Sequence, residues 1–445
     1  MKKLRTDLLF FLTFALFFAL CTNSFAEYIA EREVLPNGLV LMHSEKKTLP
    51  VVNIVIAIKA GSVLEPPEKA GLANLTADLL NEGTITRSSR DISDKIEFVG
   101  GSLSTSGGLD YITVTLSVLK KDLELGFDLL SDIILNPAFS QEEVMRREKI
   151  TKGNIMQMKD EPGVVASKAF QKAVYGEHPY GRPDEGTEET IDNITRQDIV
   201  DFHRSYYLPD NAIMAVVGDV NKKELDSLMD KYFKNWQMKE VKTRTLPELK
   251  NMDAPKVIRI NKNITQANVM LGHLGISRNN PDYYAVSVMN YILGGGGFAS
   301  RLMENIRENK GLSYDVHSYF SGNKYAGSFQ AVLQTKNQTA NEAIAEILKE
   351  MKRMRTEPVT DKELADAKSY MTGSFPLRLD SNSKIAGLLT AIEFYGLGLD
   401  YVDKYKKIIN AVSKDDILRV AKKYLDPENY VLVVVGDLEK MSLKY

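Results

Sequence analysis

The 445-residue chain carries one pattern twice, and this duplication limits its fold more than any single motif. "ITRQDIVDFHRSYYLPDNAIMAVVGDV" spans Ile194 to Val220, and "VSKDDILRVAKKYLDPENYVLVVVGDL" spans Val412 to Leu438. Each reads as a capped helix, a Pro-containing turn, a buried strand and a terminal Gly-Asp. Gly218 and Gly436 are 218 residues apart. A second echo has nearly the same offset. "NPAFSQEEVMRREKI" starts at Asn136 and "TEPVTDKELADAKSY" at Thr356. Ser140 and Thr360 each open an S/T-x-x-E capping box, with Glu143 and Glu363 three residues on. Before each comes an amphipathic helix, and before that a strand-like run, "DYITVTLSVL" in the first half and "AGSFQAVLQT" in the second.

The pattern predicts a duplicated α+β unit of about 200 residues. β-rich runs (Val51–Ala60, Tyr111–Leu119, Ala212–Val217, Phe329–Thr335, Tyr430–Val435) are separated by helical stretches. "LPNGL" at Leu35–Leu39 is a hairpin signal. Strands and helices do not strictly alternate, so each unit is expected to be a mostly antiparallel or mixed sheet with helices packed on one face. "KEVKTRTLPELKNMDAP", Lys239 to Pro255, is charged, has two prolines and lacks an apolar period, as a linker does. The expected division is a leader over 1–26, one domain over 27–238, the linker over 239–255 and a second domain over 256–445.

The leader differs in composition from the rest. "MKKLR" is a basic start, Leu8–Leu20 is an apolar run, and "SFA" ends at Ala26 with small residues at the −3 and −1 positions. That is the form of a secretory signal peptide, and the run is too short for a stable membrane span. Leu20 before Cys21 is too bulky for a lipoprotein signal. Cleavage would remove Lys2, Lys3, Arg5 and Asp7, taking the formal charge from −2 to about −4. A weakly acidic chain without a basic stretch argues against nucleic acid as a partner. The only cysteine leaves with the leader, so the mature chain has no disulfide, thiolate nucleophile or cysteine–metal site. In a Gram-negative source its destination would be the periplasm.

"GLANLTADLLNEGT", Gly71 to Thr84, reads as a helix. Asn74, Ala77 and Asp78 stand at i, i+3 and i+4 on one face, the spacing a zinc hydrolase uses for two ligands and a base. Zinc favours imidazole, thiolate or carboxylate, and Ala77 can move no proton. His43, His178, His203, His273 and His317 contain no pair at i and i+3 or i+4. A hard cation could use amide oxygens, but one carboxylate gives it little charge. The plainer reading is a buried Leu72, Leu75 and Leu79 stripe with Asn74 and Asp78 on the wet side.

Several motifs coincide. "AGLANLTADLLNEGT", "ILNPAFSQEEVMRREKI", "YGEHPYGRPDEGTEETIDNITRQDIVDFHRSYYLPDNAIMAVVGD", "LGGGGFASRLMENIRENKGLSYDV" and "SFPLRLDSNSKIAGLL" occur in this order over nearly the whole mature chain. Together they resemble the pitrilysin/insulinase family of zinc peptidases, in particular its two-domain bacterial members and the mitochondrial processing peptidase subunits. The resemblance implies an inverted zinc motif, His-x-x-Glu-His, with the Glu as base and a further Glu ligand about 76 residues on. Here those positions hold Asn74, Ala77, Asp78 and Asn154, so all four depart from the pattern. In this family "YGEHPYG" is a structural turn, which makes His178 a turn residue.

The second half keeps what the first has lost. The family places an Arg and a Tyr seven residues apart where they reach the substrate at the zinc site, and Arg307 and Tyr314 match that spacing. A guanidinium fork and a phenol both suit a peptide carbonyl or its oxyanion. Leu302, Met303 and Ile306 are expected to face inward from a helix that stops at Gly311, followed by a strand that alternates Leu312, Tyr314 and Val316 onto one face. Gly294, Gly295, Gly296 and Gly297 form a glycine-rich loop whose backbone could lie close to a bound peptide. In the processing peptidase such a loop of the noncatalytic subunit is associated with substrate recognition.

The resemblance thus implies a noncatalytic subunit: half of a clam-like chamber, without metal of its own, paired with a zinc-bearing homologue and supplying Arg307 and Tyr314 in trans. Two alternatives stay open. One is a peptidase-derived peptide-binding or assembly scaffold. The other is a stand-alone peptidase with a rebuilt site.

Overall fold

The structure is a computed structural model and describes residues 29–445. The leader lies outside the described residues. Within them no helix is long and apolar enough to cross a membrane.

The duplication is visible strand by strand. The first sheet has the order β1(Glu31–Val34)-β2(Val40–Glu45)-β6(Ala212–Gly218)-β3(Val51–Ile58)-β5(Ile112–Leu119)-β4(Ser102–Ser106). The second has the order β7(Lys256–Asn261)-β11(Val431–Gly436)-β8(Gln266–Leu274)-β10(Ser328–Lys336)-β9(Ser313–Phe320). β1 apart, the two orders superpose position for position. β1 again apart, the last strand of each half pairs parallel with the opening one, β6 with β2 and β11 with β7, and the remaining pairs are antiparallel. β1 is joined to β2 by the predicted hairpin, where Gly38 takes φ 83. β4 and β9 are the corresponding free edges.

A large apolar core fills the space between each sheet and its helices. Across the opposite face of each sheet lies an α-helix from the other half. Pro162–Tyr175 follows the first-half helices but packs Ala166, Phe170 and Val174 on Met270, Val431, Val433 and Val435 of the second sheet. Asn382–Tyr395 from the second half packs Ile385, Ala386 and Leu389 on Met42, Val55, Ile213, Ala215 and Val217 of the first. This exchange explains why β6 and β11 are continuous apolar runs. Both faces are covered, so every residue of the two strands is buried. Residues 239–255 cross between the halves without helix or strand and rest Leu246, Leu249 and Met252 on the same core as Pro162–Tyr175.

The two capping boxes differ. Thr360 and Glu363 exchange both hydrogen bonds. Ser140 caps its helix, but the Glu143 carboxylate is drawn instead to Arg146, with Nε–Oε2 at 2.6 Å.

Candidate functional site

The helix Leu72–Leu79 starts at Gly71, whose φ of 100 favours glycine. Its first amides are held by a residue the motif reading passed over. The Glu65 carboxylate accepts from Gly71 N at 3.0 Å and Ala73 N at 2.9 Å. Burial outweighs these two bonds and pushes the Glu65 carboxyl up to about 8. Leu72, Leu75 and Leu79 are buried, and Asn74 and Asp78 are half-exposed, as their spacing predicts.

Asn74, Asp78 and Asn154 come together at one cavity of about 320 Å³. Thr105 and Ser106 of edge strand β4 form another wall, and Asp184 and Glu185 a third. Ala77, at the base position, is fully buried and is not part of the lining. The Asn74 Oδ1 packs so closely on Gly107 that a Cβ there would lie 1.3 Å from it. Arg147 sits 3.7 Å from Asp78 and also pairs with Glu82. Asp78 is nevertheless raised, because burial outweighs the pull of Arg147. Asp184 is raised by burial, while the Lys168 ammonium helps hold Glu185 low.

This donor set does not fit zinc. No imidazole lines the cavity, and a fixed cation, Arg147, stands beside the one carboxylate of the helix. Each histidine is engaged elsewhere. His43 Nε2 lies 2.8 Å from Val220 O, His203 Nε2 2.9 Å from Ile134 O, and His317 Nδ1 3.2 Å from Asp315. His273 accepts from Asp426 N, and His178 Nδ1 accepts from Tyr180 N as the cap of the turn Pro179–Gly181. Burial lowers His178 and His203 to about 4, which keeps both neutral. Among the described residues no group of three or more His, Cys, Asp or Glu is arranged to hold a metal ion.

The second-half segment is built differently. Leu302, Met303 and Ile306 face inward as expected, but the turn Met303–Asn309 is a widened π turn rather than an α-helix. Gly311 ends it at φ 62, with its N–H on Arg307 O. The alternation predicted for Leu312, Tyr314 and Val316 is not realised. β9 carries an extra residue against β10 between Ser313 and Val316, and this bulge breaks the period. Ser313 Oγ fixes it, donating to Asp315 O and Gln334 O at 2.6 Å. Leu312 and Val316 are therefore buried, while Tyr314 turns outward and is 82% exposed.

There it meets Arg307. The guanidinium carbon lies 4.4 Å from the Tyr314 ring centre and 4.6 Å from that of Phe298. Among the described residues its one ion pair is Nε to the neighbouring Glu308 at 3.3 Å. Gly294 is buried; a Cβ would meet Ser318 Oγ at 2.5 Å. Gly297 has φ 57 and open space around it. The sequence reading found Arg307 and Tyr314 but not Phe298, Arg147, Asp184 or Glu185. Only the fold brings these to the two sites.

Two family models match consecutive parts of the chain. The insulinase (peptidase family M16) model matches residues 40–188, and the peptidase M16 inactive-domain model matches residues 193–371. Together they span most of it. The chain belongs to the M16 insulinase/pitrilysin peptidase family. Within it, the inactive-domain match sets the chain with the noncatalytic type. The M16 chain is 29% identical to an uncharacterized zinc protease of Bacillus subtilis over 91% of its own length and 98% of that protein's. A similar relative in Streptomyces coelicolor is 28% identical, over 92% of this chain and 90% of that one. The crystal structure of a peptidase M16 inactive domain from Pseudomonas fluorescens has 28% identity and a TM-score of 0.86, covering 92% of this chain and 98% of that one. A protease from Helicobacter pylori shares the fold at TM-score 0.86 and 22% identity, with 92% of this chain and 99% of that one covered.

Proposed function

We propose that this chain is the noncatalytic, substrate-binding subunit of a heterodimeric periplasmic zinc metallopeptidase. One observation carries the reading. Three of the four zinc-motif positions, Asn74, Asp78 and Asn154, meet at a cavity that does not fit zinc, while Arg307 stands by Tyr314 with its terminal nitrogens free of protein partners among the described residues. Relatives carry the name uncharacterized zinc protease, and here the zinc chemistry that the name implies would belong to a homologous partner. The partner would hold the zinc and supply the base.

In this scheme the present chain binds, orients and stabilises. Among the described residues β4 pairs with β5 alone, and its outer edge runs beside the altered cavity. An extended peptide can add to such an edge. Arg307 and Tyr314 would donate to the carbonyl oxygen of the peptide and to the negative charge that grows on it when water attacks. The basic and apolar leader supports export to the periplasm.

Co-expression with a homologue carrying His-x-x-Glu-His tests the pairing. The two chains are expected to copurify on a sizing column with one zinc per pair. The present chain alone should hold no stoichiometric zinc by mass spectrometry. Failure to associate, or one tightly held zinc in this chain, would count against the proposal.

A further inference from the structure

The glycine-rich loop raises a question that its glycines do not answer. Gly294 is buried under β9, and Asn290 fixes the contact by donating to Ser318 O at 3.0 Å and accepting from Ser318 Oγ at 2.8 Å. A Cβ on Gly295 would crowd Asn290, and one on Gly296 would crowd Tyr291. These three glycines are explained by packing. Gly297 is the hinge into the next turn, Gly297–Ala299, closed by Ser300 Oγ on Gly297 O at 2.7 Å. That turn is pinned from below. The buried guanidinium of Arg301 donates to Glu363 through Nε at 2.6 Å and Nη2 at 3.1 Å.

What the pinned turn presents is Phe298. It is 68% exposed, which is costly for a large apolar ring unless the ring has a task. Its ring centre lies 4.6 Å from the Arg307 guanidinium carbon and that of Tyr314 lies 4.4 Å from it, so both rings are in cation–π contact with the same cation. Aromatic contact of this kind engages the plane of a guanidinium and leaves its edge, where the N–H donors lie, for a polar partner. We propose that Phe298 is a positioning residue of the peptide site, closing a Phe298–Arg307–Tyr314 clamp that aims the fork at a peptide oxygen. The loop then acts through this ring rather than through its backbone. The inference rests on the reading of Arg307 as a peptide-binding group.

Each exposed cation–π contact is modest, so loss of the ring should weaken binding about three- to fivefold rather than abolish it. The test uses the purified full-length mature chain and a fluorescein-labelled peptide pool of random sequence, with binding followed by anisotropy. Arg307→Ala is expected to remove most of the binding. Phe298→Ala and Phe298→Leu should each lose about three- to fivefold, and Phe298→Tyr should stay within about twofold of the parent. In the Arg307→Ala background, Phe298→Ala should have no further effect, because the ring acts through the guanidinium. Unchanged binding in Arg307→Ala would overturn the site reading itself. A loss in Arg307→Ala with none in Phe298→Ala, or with equal additive losses in the double variant, would overturn the clamp alone.

Discussion

Ala77 and Glu65 show what single positions decide here. Ala77 is wholly buried and has no group that can move a proton. Glu65 is the opposite case, a buried ionisable group that holds the same helix in place. Its carboxyl is raised from the ordinary carboxylate range to about 8 by burial. The sign follows directly. A folded value above the unfolded one means a contribution fully present below about pH 4.5 and lost as pH rises through about 8. The chain should therefore lose stability between pH 5 and pH 8.5 in urea denaturation, and Glu65→Gln should reduce that slope. An unchanged slope in the variant would show that Glu65 is not its source. Glu65 was legible only as one acid among many, because nothing in its spacing tells that two amides of a later helix will meet it.

Among the elements, the bulge in β9 and the loop before it were least legible. Alternation predicts a side for each residue only while the register holds, and the extra residue between Ser313 and Val316 reverses the side of Tyr314. By contrast, Arg301–Glu363 joins two elements through a box that the sequence already marked at Thr360. Glu363 is held at about 2, its hydrogen bonds from Arg301 and Thr360 prevailing over burial. That stabilisation is present above the unfolded value near 4.5 and is lost as pH falls through about 2. Glu363→Gln leaves the buried Arg301 guanidinium without its counter-charge and should cost about 3 kcal/mol in chemical denaturation. A cost below about 0.5 kcal/mol would show that the turn carrying Phe298 does not depend on the pair.

At the scale of the whole molecule, duplication made the architecture readable. Matching capped helices, the Leu35–Leu39 hairpin and the apolar runs of β3, β5, β6, β10 and β11 all appear in the fold. β4, made of Ser, Leu and Thr, gave no such signal, and neither did the helix exchange. An apolar stripe tells that a helix is buried, not which sheet buries it. Pro162–Tyr175 therefore reads as a first-half helix while it closes the second sheet. The exchange couples the halves. Phe170→Ala should cost about 3–5 kcal/mol and shift the unfolding of the whole chain. Trp236 lies in the core of the first half and reports on it. Its fluorescence midpoint should move together with the circular dichroism signal, whereas independent halves would leave it in place. The central claim, that a chain without a zinc site supplies the Arg307/Tyr314 pair to another chain's zinc, has one decisive measurement. It is peptide-library hydrolysis by this chain mixed with its zinc-bearing homologue. The account predicts activity that requires both chains and falls at least tenfold, about 1.4 kcal/mol of transition-state stabilisation, with Arg307→Ala or Tyr314→Phe in this chain. Full activity in the mixture with both substitutions present would contradict it.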